Sequence, residues 1–236
     1  MRRVTFKSVL EGVATRLGLS PAALLADQAA ALAKYLEDRV RDKWELHDWP
    51  FTRTLEPRTL SAAPDRYLLL EEPGETPISE VLNAWDGNPE LSEEAAVLKY
   101  SLSNGRVNFA ADAPDEVYLE FSLYHPRFTA TAWASGTAYV TGDVVYSATD
   151  CYVAAQASTG TAPTAGASSA YWTLQEFPHQ LSRYAELGAV ADCLNESNQH
   201  DKADRMEGQA ESKLLDELEK LLVKQKQTPR FAVRNR

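Results

Sequence analysis

At 236 residues, 44% of them hydrophobic, the chain is long enough to bury an ordinary core in one or two domains. Its apolar stretches fall far short of the ~20 residues that cross a bilayer, and the opening Met1-Arg2-Arg3-Val4-Thr5-Phe6 lacks the apolar block of a signal peptide, so a protein that stays off the membrane and in the cytoplasm is expected. The net charge of −10 argues against a coat for duplex nucleic acid, which needs surplus Lys and Arg to replace counterions, and Cys151 and Cys193 form neither a zinc spacing nor a disulfide framework.

Apolar residues at Phe6, Val9, Leu10, Val13 and Leu17 make a helical stripe that stops at Gly18, a residue suited to a left-handed helix end. A second helix is predicted from Ser20 as N-cap and Pro21 in the first turn, with Leu25, Ala29, Leu32, Leu36, Val40 and Trp44 on one face. Trp49-Pro50-Phe51 ends it and supplies an apolar anchor where the chain turns. Period two begins at Arg66–Leu70 and runs through Ile78 to Trp85, and Asn104-Gly105 between two alternating runs predicts a two-residue hairpin turn. Val117, Leu119, Phe121 and Leu123 then alternate with polar or wet positions, the pattern of a strand with one buried face. After residues 129–175, which are rich in Ala, Thr, Ser and Gly, two further stripes appear. Leu181, Tyr184, Leu187, Ala191 and Leu194 form one, and Ala203, Met206, Ala210, Leu214, Leu218 and Leu221 form the other; the polar break at 195–201 between them is short enough to imply antiparallel packing. The expected fold is α+β. A bundle of about four helices with a small antiparallel sheet (1–128 and 176–223) would carry a small all-β insertion projecting at 129–175, and a basic arm would follow at 224–236.

The insertion contains Trp133, Tyr139-Val140-Thr141-Gly142-Asp143-Val144-Val145-Tyr146, Cys151-Tyr152-Val153-Ala154-Ala155, Pro163 and Tyr171-Trp172. This pattern resembles the small chitin-binding carbohydrate modules of types 5 and 12. The resemblance implies aromatic faces stacked on a pyranose ring, with Tyr146, Tyr152, Tyr171 and Trp172 as the glycan-binding candidates. A module of under fifty residues also needs its aromatics as core, so the two uses compete for the same rings. The insertion could equally serve as a protein interface.

With the insertion set aside, the remaining order is a helix, a Pro-started helix, Trp-Pro-Phe, a sheet with a hairpin, and a strand ending at Tyr124-His125-Pro126. Phe177-Pro178-His179 then opens an Ala-rich helical pair. This order resembles the head-to-tail adaptor proteins of tailed phages. The resemblance implies a structural virion protein without enzymatic activity or cofactor, forming a homo-oligomeric ring, usually dodecameric. Such a ring sits in the neck between capsid and tail, is assembled in the host cytoplasm, and contacts the portal protein above and tail, stopper or nozzle proteins below while DNA passes through its channel. Two properties of the sequence suit that role. Residues 224–236 hold five basic side chains and no acidic one, so an arm of +5 follows a body of −15 that would let DNA slide past. Within the arm Arg230, Phe231, Val233, Arg234 and Arg236 alternate cationic and apolar groups, a form suited to docking on a portal as an extended strand or hook. The rival class is a carbohydrate- or cell-wall-binding accessory protein acting through the insertion.

No phosphate-cradling glycine loop, nucleophile elbow or His-Glu-x-x-His is present. His47, His125, His179 and His200 are scattered at expected turns and helix ends, Asp86–Glu90 reads as a plain turn, and no catalytic or metal-ligating set is expected.

Overall fold

The computed structural model describes residues 4–44, 46, 49–62, 64–71, 75–147 and 150–227. A short strand, β1 (Val4–Thr5), leads into α1 (Phe6–Arg16), whose first turn is capped by Thr5: its Oγ1 accepts from the Ser8 amide at 3.2 Å. The helix ends as its sequence predicts, with Gly18 at φ +74°. The second helix starts later than predicted. Pro21–Ala23 form only a single 3-10 turn, Ser20 makes no side-chain cap, and Leu24 is extended, so α2 runs Ala26–Trp44. Its start is closed instead by Gln28, whose Oε1 accepts from the Leu25 amide at 3.2 Å. Beyond α2 the predicted aromatic anchor is in place. Trp49 is fully buried and donates from Nε1 to the Lys43 carbonyl at 2.8 Å, while Phe51 packs on both Trp49 and Trp44.

The β region comprises β2 (Arg53–Thr59), β3 (Tyr67–Leu69), β4 (Ile78–Trp85), β5 (Tyr100–Ser103), β6 (Arg106–Phe109) and β7 (Glu116–Leu123). These six strands make two antiparallel sheets, ordered β2-β7-β4 and β3-β6-β5, where one sheet was expected. Their facing apolar residues, among them Leu68, Ile78, Val81, Val107, Val117, Leu119 and Phe121, form one core separate from that of the helices. The β5–β6 turn has Asn104 at φ 50° and Gly105 at φ 71°, the paired positive angles that Asn-Gly supplies. Strand β2 escapes a reading based on apolar alternation because its one deeply buried side chain is Arg58. That guanidinium pairs with Glu56 and Glu75, donates to the Thr76 carbonyl and lies over the Phe121 ring, which satisfies the charge inside the sheet.

The insertion follows as β8 (Thr131–Ala132), β9 (Ala138–Tyr139), β10 (Val144–Ser147), β11 (Asp150–Ala154), β12 (Ser158–Thr159) and β13 (Trp172–Leu174), and β14 (Glu176–Phe177) returns the chain to the scaffold. Four strands form a sheet in the order β13-β11-β10-β8, with β8 parallel to β10, and β9 pairs with β12. The module has its own small core of Tyr139, Val145, Tyr152, Ala154 and Trp172. It does not simply project, because its base is embedded in the helical core. Phe128, just before β8, stacks between Phe6 of α1 (centroids 4.8 Å) and Phe177 of β14 (4.9 Å), and Tyr146 meets Phe6 edge-on. Cys151 is fully buried in the helical core, with Sγ 3.3 Å from the Phe128 carbonyl. Glu37 of α2 accepts from the amides of Phe128 and Thr129 at 2.7 and 2.6 Å, and β14 closes the base by pairing with β1.

Two helices complete the fold, α3 (His179–Glu196) and α4 (His200–Gln227). The predicted polar break shrinks to Ser197–Gln199, with Asn198 at φ 57° and the Gln199 amide returning to the Leu194 carbonyl at 2.8 Å. One apolar stripe was predicted for α3, yet residues 187–191 are buried without interruption, because α1, α2 and α4 all pack on it. Ion pairs bind the bundle across its axes. Arg39 of α2 grips Asp192 of α3 through Nε and Nη2 at 2.9 and 2.7 Å and reaches Glu207 of α4 through Nη1 at 2.7 Å. Arg16 of α1 meets Glu186 of α3 at 2.5 Å, and Lys43 of α2 meets Glu211 of α4 at 3.0 Å. Burial alone would ease the proton off Arg39, but its hydrogen bonds to Asp192 and Glu207 outweigh that and raise its pKa.

Two helix glycines make room for these crossings. A Cβ at Gly188 would lie 2.9 Å from Arg39 Nε, and one at Gly12 would lie 3.0 Å from the Glu186 carboxyl carbon. Gly188→Ala is therefore expected to push Arg39 off Asp192 and to destabilise the protein by about 1–3 kcal/mol in a denaturant titration. Gly12→Ala should cost less, since the Glu186 carboxylate is the movable end of a flexible chain; equal losses for the two variants would contradict this account.

Candidate interaction surfaces

The four proposed sugar-stacking residues do not form a platform. Tyr152 and Trp172 are fully buried. The Tyr152 hydroxyl donates to the Thr164 carbonyl and accepts from the Gly166 amide, and Trp172 Nε1 donates to the Thr161 carbonyl while its ring meets Tyr139 edge-on. Tyr146 packs against the helical core, and burial, reinforced by the negative charge of its neighbours, pushes its pKa up to about 12. Only Tyr171 keeps a substantial exposed surface, at 39%. The expectation of a four-residue aromatic platform is corrected accordingly: so small a module spends its rings on its own core and its base.

The buried Asp150 also belongs to that base. Its carboxylate receives the Lys7 amide at the start of α1, a favourable place for an acid, yet burial outweighs this and holds its pKa above the usual range.

The portal-binding candidates Arg230, Phe231, Val233, Arg234 and Arg236 lie outside the described residues. The helix that leads to them is described. With 28 residues against 18 for α3, α4 is about 15 Å longer than its partner. Leu214 is its last fully buried residue, Leu218 and Leu221 rest partly on the core, and Leu215, Leu222 and Val223 are 58%, 56% and 52% exposed. An apolar helix end thus precedes the cationic arm.

Two open grooves among the described residues bear on this surface. One, of about 300 Å³, lies beside β2 and β7 and is lined by Arg53, Leu55, Trp85, Pro89 and Glu120. The other, of about 380 Å³, runs between α3 and α4 past Arg183, Leu187, Arg205, Gly208 and Lys213. Near the first groove the β4–β5 loop exposes Leu91 at 85%, with Glu90, Glu93 and Glu94 around it. Asp86 builds that loop, its carboxylate accepting from the Ala96 amide at 2.7 Å, which agrees with a plain turn. The sequence reading missed the α3–α4 groove and Leu91. A glycine interrupting a strong helical pattern at 208 was the visible signal.

Among the described residues no three His, Cys, Asp or Glu side chains are grouped so as to hold a metal, and no helix is long and apolar enough to cross a membrane. His179 and His200 open α3 and α4, His125 lies beside the Pro126 carbonyl, and His47 is outside the described residues. Compared with known proteins, the chain matches no family model and no curated protein.

Both thiols are held protonated. Burial pushes Cys151 far up, and burial plus the charges of Asp192 and Glu196 pushes Cys193 up to about 11. In the unfolded chain both ionise near 9.0, so above that pH the unfolded state binds fewer protons and stability falls as pH rises. Denaturation midpoints measured from pH 8 to pH 10 should fall, and replacing both cysteines by alanine should flatten that fall. Trp172→Ala should cost about 3–5 kcal/mol in a denaturant titration, whereas Tyr171→Ala should leave stability nearly unchanged.

Proposed function

We propose that this chain is a head-to-tail adaptor of a tailed-phage particle, a non-catalytic structural protein that forms a ring in the neck beneath the portal and joins capsid to tail around the DNA channel. The observation that carries the reading is the end of α4. A helix ten residues longer than its partner that exposes Leu215, Leu222 and Val223, and hands on to a segment of five cationic and no acidic side chains, is built to engage another protein. The strongly acidic remainder supports a channel that duplex DNA passes without adhering, since like charges repel at close range. The order of elements outside the insertion supports the same reading. In this reading the insertion is a rigid ornament or a contact for a neighbouring virion protein, because Tyr152 and Trp172 have no face left for a sugar.

The test is light scattering on size-exclusion fractions of the protein, alone and mixed with the portal protein encoded by the same genome. A stoichiometric ring complex is the expected result. Deleting 228–236 should abolish docking while leaving the helical circular-dichroism signal unchanged. Absence of any complex, or normal docking by the truncated chain, would respectively overturn the adaptor reading and the role of the arm.

A further inference from the structure

The three glycines inside the long helices differ in one respect. Gly12 and Gly188 sit under side chains that cross between helices, whereas Gly208, exposed in the middle of α4, has nothing within 4 Å of where its Cβ would be. A mid-helix glycine weakens a helix relative to alanine, so one that makes room for no group of its own molecule keeps a notch open toward the outside. The notch lies in the α3–α4 groove, with Leu187 beside it and Arg183, Arg205 and Lys213 at the rim. Arg183 and Lys213 pair with acids on their own helices, Glu186 and Asp216, while among the described residues Arg205 has no ion-pair partner. The groove lining thus holds three cations and no acid, and Arg205 carries its unmatched charge on a chain of net charge −10.

The opposite shape and sign occur on the β4–β5 loop. Leu91, at 85% exposure, stands at its tip with Glu90, Glu93 and Glu94 exposed around it. The tip is pre-formed: Asn88 Oδ1 accepts from the Glu90 amide at 2.9 Å, and Asp86 brackets the loop by exchanging hydrogen bonds with Ala96 at 2.7 and 3.1 Å. We propose that the α3–α4 groove receives the β4–β5 loop of a second copy, Leu91 over Gly208 and the glutamates against Arg183, Arg205 and Lys213. This names the subunit contact of the proposed ring and rests on that reading. Because the two patches lie on different parts of the chain, the contact is heterologous and repeats head to tail, the arrangement that closes into a ring. The pairing of opposite charges selects this contact over others between two acidic molecules that otherwise repel.

The test uses full-length variants in sedimentation velocity, alone, mixed with each other, and with the portal protein. Gly208→Gln fills the notch and should raise Tm by a few degrees while weakening self-association about tenfold or more. A groove variant (Arg205→Glu with Gly208→Gln) and a loop variant (Leu91→Asp with Glu93→Ala) should each fail to build rings. Mixed together they retain one working groove and one working loop, so they should form a 1:1 dimer that grows no further. Rings formed by both variants on the portal as well as by wild type would overturn the contact and leave the adaptor reading standing. If wild type ignores the portal, the adaptor reading falls, and the mixture at high concentration still decides the contact: a dimer supports it and monomers refute it.

Discussion

The stack of Phe128 between Phe6 and Phe177 is the constraint on which the rest of the molecule turns. Phe6 opens α1, Phe128 is the last buried residue before the inserted module, and Phe177 is the first buried residue after it. Holding these three rings in one apolar column brings both ends of the insertion to one point, and the pairing of β1 with β14 and the carboxylate of Glu37 fix the backbone around it. A flexible insertion of this length would pay its loop-closure entropy with nothing in return. Here the closure is repaid by burial, since Cys151 and Tyr146 of the module fill space in the helical core, and Asp150 caps the helix that Phe6 begins. The base of the module is thereby part of the helical core.

The same logic explains the polar side of the bundle. With α3 enclosed by three helices, few of its positions can be left for solvent, and the charged side chains around it must find partners or be excluded. Arg39, Arg16 and Lys43 solve this by reaching between helices to Asp192, Glu207, Glu186 and Glu211, so each ion pair also fixes a helix-to-helix register. Such pairs contribute modestly to net stability, but breaking one by a misplaced methyl leaves a partly buried charge unmatched, which is where the cost arises.

What could be read in advance follows the range of the interactions involved. Gly18 at the end of α1, Asn104-Gly105 in the hairpin and the two stripes of α3 and α4 are set by residues a few positions apart, and the α+β class follows from them. Strand β2 is hidden because Arg58, its buried residue, is satisfied by Glu75 and by Phe121, neither of them local. The start of α2 moves because the Gln28 side chain closes the helix end in place of Ser20. In the module, a sugar-binding aromatic and a core aromatic have the same sequence signature. Only packing separates Tyr171, half-exposed just before β13, from the buried Trp172 that opens that strand.

Segregation of charge joins the fold to its proposed role. Had the cationic residues of the chain been spread evenly, two copies would meet everywhere with the same weak repulsion and no orientation would be preferred. Arg16, Arg39 and Lys43 are paired inside the bundle, Arg183, Arg205 and Lys213 line the α3–α4 groove and five cationic residues follow in the terminal segment, while the glutamates of the β4–β5 loop are exposed. An acidic protein with a few cationic patches of defined shape associates only where those patches find an acidic counterpart. Association is then directional. On the proposed reading, the patch beside Gly208 meets its acidic counterpart on another copy, and the cationic terminal arm engages a different protein.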